Sequence, residues 1–207
     1  MKWLKDHEPD HFERMKYCLL PHDYISLLLC GGTDTDSESK GKVLPMTDAG
    51  DASGTGVFDP MTRQYNCALT DLIDTRYWDM LPEVITQPNA IAGYLSDSWK
   101  RRVNMNMSKQ NQESPIAISI GSGDNMCSAL GVGCVQLQTA VLSLGTSGTI
   151  FGVSSHPISG GGVVAPFCDA TGRYLPLICI MSCTGILHDV LNSFSASASA
   201  SEKSVTH

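Results

Sequence analysis

Asp124 is the residue in this sequence best placed for acid–base chemistry. It stands in Gly121-Ser122-Gly123-Asp124-Asn125, where a glycine on either side of Ser122 lets the backbone turn sharply and leaves the carboxylate reachable by a ligand. An ionised carboxylate can accept the proton of an alcohol as that alcohol attacks phosphorus. Asn125 beside it offers a donor and an acceptor together, which suits a polyhydroxylated substrate. Further on, Gly145-Thr146-Ser147-Gly148 joins two apolar segments. Successive N–H groups in a glycine-containing turn form an anion-binding concavity, and the Thr146 and Ser147 hydroxyls add donors. The turn is not a Walker A loop, because no G-K-[ST] follows it. Each piece also has an ordinary structural reading, Asp124 as a helix cap and the 145–148 turn as a hairpin loop.

Other patterns weigh less. His7-Glu8-Pro9-Asp10-His11 fits H-E-x-x-H, which in zinc proteases needs both imidazoles on one face of an intact helix. Pro9 lacks an N–H and clashes with the preceding turn, so the helix should not run through it, and no metal site is expected. Lys100-Arg101-Arg102 reads as a solvated face. The eight cysteines contain no C-x-x-C pair and are expected to be buried free thiols. His188 is expected to be packed or exposed rather than catalytic.

The elements that must position Asp124 are legible around it. After Pro115, Ile116, Ile118 and Ile120 alternate with smaller residues, the mark of a strand with one apolar face. Residues 125–130 predict a short helix, which puts Asp124 near an N-terminus whose dipole favours a carboxylate. Residues 140–144 and 149–153 predict two strands flanking the 145–148 turn, and 163–167 and 174–180 two more. Upstream, Pro21 opens a helix that Gly31-Gly32 stop. Residues 33–51 read as an acidic loop. A short strand over 56–59 turns at Asp59-Pro60 and returns over 64–66, followed by a helix over 68–73. Residues 85–94 suggest no firm type, and 104–113 a linker. At the far end a helix from Thr184 is expected to run into a disordered serine–alanine repeat over 195–201.

Composition sets bounds. The 207 residues are 42% hydrophobic and 17% charged, ordinary for a globular chain able to bury a core. A formal net charge of −7 argues against a general nucleic-acid binder. No apolar run reaches the length of a membrane span and the start lacks a signal-peptide pattern, so a cytoplasmic protein is expected.

In order, GSGDN, ALGVG, VLSLGTSGTIFGV and APFCDATGRYLP resemble the central part of the FGGY family of carbohydrate kinases, and within it the xylulokinases. KWLKDHEPDHFERMKYCLLPHDYISLLLCGG and DASGTGVFD resemble the run that precedes that part, so the likeness covers about residues 2–192. The resemblance implies an α/β chain with the actin-like ATPase (ribonuclease H-like) fold, incomplete, with the end of the first domain in residues 1–112, the opening strands of the second in 113–194 and a low-complexity tail in 195–207. It implies Asp124 as catalytic base and sugar ligand, Asn125 as sugar ligand, and Gly145, Thr146 and Ser147 at the nucleotide phosphates, with ATP and Mg2+ as cofactors. It implies transfer of the γ-phosphate of ATP to a sugar hydroxyl, D-xylulose giving D-xylulose 5-phosphate. The expected partners are small molecules and a second copy of the chain. The family's D-x-G-T hairpin and glycine-rich adenosine segment have no counterpart in the sequence, so weak activity is expected, and a non-catalytic sugar-binding module is the alternative.

Overall fold

A computed structural model describes residues 1–32, 43–103 and 115–204, and of residues 195–204 the backbone alone. The acidic residues Asp34, Asp36 and Glu38 and the polar run 104–113 lie outside the described residues.

Short elements build the first part. Helices α1 (Lys2–His7) and α2 (Pro9–Arg14) are separated by Glu8, whose φ of −132° and ψ of 59° are not helical. Pro9 opens α2, where its missing N–H has no intrahelical partner to lose. His7 bonds Trp3 O at 3.0 Å within α1 and His11 bonds Glu8 at 2.7 Å, so the two imidazoles serve separate helices. Helix α3 (Pro21–Leu29) begins at Pro21, with the Leu20 N–H donating to Asp23 at 3.1 Å, and Gly31 follows it at a φ of 84°.

The next segment departs from expectation. Met46–Asp48 is a strand, β1, and Ala49–Ala52 a helical turn, α4, where the acidic composition suggested loop through residue 51. Thr47 and Asp48 are buried, and β1 pairs parallel with β4 (Glu83–Ile85), a partner too distant for local pattern to show. β2 (Phe58–Asp59) and β3 (Gln64–Tyr65) form the expected hairpin, and helix α5 (Cys67–Asp71) follows, its Ala68 N–H donating to Asn66 at 3.0 Å. β5 (Ile91–Tyr94) resolves the untyped stretch. Helix α6 (Asp97–Arg102) carries the basic cluster, where Lys100 pairs with Asp97 at 2.9 Å. β6 (Ala117–Ser119) returns antiparallel to β5.

The second part is a helix on a sheet. Strands β7 (Ala140–Leu144), β8 (Gly148–Gly152), β9 (Ala165–Cys168) and β10 (Tyr174–Ile180) form an antiparallel sheet in the order β7-β8-β10-β9. Its inner face places Val141, Phe151 and Leu177 side by side across three strands. Against them packs helix α7 (Asp124–Gly131) through Met126 and Ala129. The outer face follows from the strand period of two: Leu142, Leu144, Ile150 and Ile180 alternate with the core residues and are exposed.

Contacts from several elements join the parts. Ala49, Ala52 and Phe58 share a buried cluster with Cys168. Arg63 donates to Gly172 O at 2.6 Å and Arg173 O at 3.2 Å, with its guanidinium 5.1 Å from the Tyr174 ring centroid. All eight cysteines are free, as expected. Cys134 and Cys168 are buried, but Cys67, Cys127 and Cys179 are exposed. The last helix, α8 (Thr184–Ser204), continues through the serine–alanine repeat that was expected to be disordered. Alanine at alternate positions offsets the weaker helix preference of serine.

Candidate active site

Asp124 is exposed and occupies the first turn of α7, with Gly123 as its N-cap. It is therefore not the capping residue that the structural reading of the motif would have made it. One oxygen of its carboxylate accepts the Asn125 N–H at 2.7 Å and the Asn125 side-chain amide at 3.1 Å. The exposed carboxylate and the half-buried amide thus form one hydrogen-bonded pair at the start of a helix.

A partly buried polar network, with Asp48 and Asp23 at its buried end, holds the turn that delivers Asp124. Gly121 has a φ of 75°, and a Cβ there would lie 2.8 Å from His22 Cδ2, so both conformation and space demand glycine. Ser122 Oγ donates to Asp48 at 2.6 Å. Asp48 caps α4 as well, accepting the N–H groups of Gly50 and Asp51, each at 2.9 Å. From α3, His22 bonds the Asp51 carboxylate through Nδ1 and the Ile120 carbonyl through Nε2 at 3.1 Å. Asp23, almost fully buried, lies 3.3 Å from the same Nε2.

Charge follows burial here. Burial pulls the His22 imidazole down, but the Asp51 hydrogen bond and the Asp23 charge outweigh it, holding it up at about 9. Burial pushes Asp23 up to about 6 against the pull of the imidazolium and the Leu20 N–H. Burial likewise raises Asp48, against the Ser122 hydroxyl and two backbone N–H groups.

The 145–148 turn is the loop of the β7–β8 hairpin. Thr184 donates to Gly145 O through its N–H at 3.1 Å and its hydroxyl at 2.7 Å, and Cys183 N–H donates to Thr146 O at 2.9 Å. These bonds dock the turn on the start of α8. Gly145 N–H is spent on Ser147 O at 3.0 Å, and the Ser147 hydroxyl donates to Met181 O at 3.3 Å. The Thr146 and Ser147 N–H groups and the Thr146 hydroxyl have no protein hydrogen bond among the described residues. No hydrogen bond or ion pair among those residues links the turn to Asp124. The two are related through the sheet, on which α7 packs and from which the turn projects.

Sequence reasoning singled out Asp124, Asn125, Gly145, Thr146 and Ser147 but passed over His22, Asp48, Asp51 and Ser122. The available signal was the small-residue run Ala49-Gly50 between Asp48 and Asp51, which implies close packing rather than a solvated loop. A Cβ on Gly50 would lie 2.5 Å from Ser122 Oγ.

The model of the FGGY family of carbohydrate kinases, N-terminal domain, matches residues 1–131. The chain belongs to this family. It is 37% identical over 184 residues to a xylulose kinase of Streptomyces rubiginosus, an alignment covering 88% of this chain and 33% of the relative. It also resembles the crystal structure of a xylulose kinase from Bifidobacterium adolescentis, with a TM-score of 0.76, 27% identity, and coverage of 94% of this chain and 39% of that one. A Plasmodium falciparum glycerol kinase with ADP shares the fold at 14% identity and a TM-score of 0.69. This FGGY chain thus carries part of the actin-like ATPase fold, as its sequence implied. It spans about a third of the length of the curated relatives it matches.

Proposed function

We propose that this chain is part of an ATP-dependent sugar kinase that phosphorylates a ketopentose hydroxyl, D-xylulose giving D-xylulose 5-phosphate. The observation that carries the reading is the hydrogen-bonded Asp124–Asn125 pair at the first turn of α7, its carboxylate exposed, on a turn anchored by the buried Asp48. Asp124 takes the proton of the sugar hydroxyl while the hydroxyl oxygen bonds to the γ-phosphorus and the bond to the ADP oxygen breaks. Asn125 orients the sugar. ATP supplies the phosphoryl group and the leaving ADP; Thr146 and Ser147 offer free N–H groups to its phosphate oxygens. Phosphoryl transfer depends chiefly on such positioning and charge stabilisation.

The described residues contain one grouping that brings three metal-ligating atoms together, His22, Asp23 and Asp51. Its histidine nitrogens already face Asp51 and the Ile120 carbonyl, so it does not fit Mg2+, which we assign to the nucleotide instead. We place the division between the sugar-binding and nucleotide-binding domains near residue 112, supported by the separate core of the β7–β10 sheet, although β6 pairs back to β5. We assign the protein to the cytoplasm; no helix among the described residues is long and apolar enough to cross a membrane. A second copy of the chain is the proposed protein partner, for which the exposed outer face of the sheet supplies surface.

Calorimetry with D-xylulose and ATP, and a coupled assay of ADP release, test the reading. The chain is expected to bind D-xylulose, to lose that binding in Asn125→Ala, and to turn over slowly. Asp124→Asn should cut ADP release by about 10²–10⁴-fold, the usual worth of a general base. Release unchanged in Asp124→Asn would sink the mechanism. Sugar binding with no ATP binding would favour the alternative, a sugar-binding module.

A further inference from the structure

The Ile120–Gly123 segment is held from below by three acidic or basic side chains from other elements. Asp48 takes the Ser122 hydroxyl, and Asp51 Oδ1 lies where a Cβ on Gly123 would approach it to 3.0 Å. His22 does something different from either acid. Its Nδ1 faces the Asp51 carboxylate and its Nε2 faces the Ile120 carbonyl, and neither partner has a proton to give. Both ring nitrogens must donate, so the ring bonds both partners only as an imidazolium. Its ring also packs where Gly121 has no side chain. We propose that His22 is a positioning residue for Asp124: as an imidazolium it ties α4 to the carbonyl that opens the glycine turn, and thereby sets where the base projects.

The groups facing His22 are Asp23 from its own helix, Asp51 from α4, and the Asp48 charge at the start of that helix. All are acids, and together they favour the imidazolium. With His22 held up at about 9 from an ordinary 6.5, the tie is fully present below pH 6.5 and is lost as pH rises through about 9. Neutral imidazole keeps one N–H and must abandon either Asp51 or Ile120.

The inference rests on Asp124 being the base, and its geometric half can be read without turnover. In isotope-labelled chain, the His22 ring nitrogens and the amides of Gly121, Ser122, Gly123, Asp124 and Asn125 are followed by NMR through the alkaline titration. All should move with one midpoint near 9. In His22→Gln the amide step should vanish. Asp51→Asn, which keeps size and removes charge, should lower the ring midpoint by about one to three pH units and carry the amide step with it. A ring midpoint near 6.5 in the unsubstituted chain, loop amides that ignore the ring as it titrates, or an amide step that persists in His22→Gln overturns the positioning role. If the amides follow His22 but Asp124→Asn leaves turnover undiminished, the base assignment falls, and His22 then has no base to position.

Discussion

Asp48 is an acid and is buried, and three donors converge on it: Ser122 Oγ, Gly50 N–H and Asp51 N–H. Replacing it with alanine removes a helix cap and leaves the Ser122 hydroxyl without its acceptor. Asp48→Ala should therefore destabilise the chain by about 1–3 kcal/mol, read as a fall in the urea midpoint. Asp48→Asn, which keeps one acceptor, should cost less; equal losses in both would mean the charge, not the acceptor, matters. At this scale the sequence was informative where partners are neighbours. Asp124 and Asn125 sit side by side, and the glycines before them announce the turn. His22, Asp48 and Asp51 were read as helix start and solvated loop because each finds its partners far along the chain, and nothing in local pattern marks an acid as buried.

Helix α7 is aimed by what lies beneath it. Phe151 is 2% exposed and touches the cluster that seats Met126 and Ala129. Phe151→Ala should cost about 3–5 kcal/mol, while Ile150→Ala, one residue away on the exposed face, should change stability by about 0.5 kcal/mol or less. Equal effects on thermal or urea unfolding would contradict the assignment of faces. The β7–β8 hairpin and β10 were legible because alternation and glycine punctuation are local signals. α7 was legible for the same reason, its limits set by Gly123 and Gly131-Val132-Gly133. β1 was not, since three residues of parallel strand derive their identity from β4 and not from themselves. The continuation of α8 was missed because low complexity was taken to mean lack of structure, although alanine is a strong helix former.

Over the whole molecule, the chain carries a family fold and about a third of its relatives' length, which is why order of motifs identified it better than any one of them. The outer face of the sheet, with Leu142 63% and Leu144 58% exposed, has a consequence for handling. Attraction between such faces is driven by released water and strengthens with warmth, whereas the net charge of −7 keeps molecules apart less effectively as salt is added. Solutions of this chain should scatter more light when warmed, clear again when chilled, and cloud sooner in salt; Leu142→Lys should raise the clouding temperature. Clouding indifferent to that substitution would place the attraction elsewhere. A cold, dilute, low-salt buffer is then the condition in which its sugar chemistry is best measured.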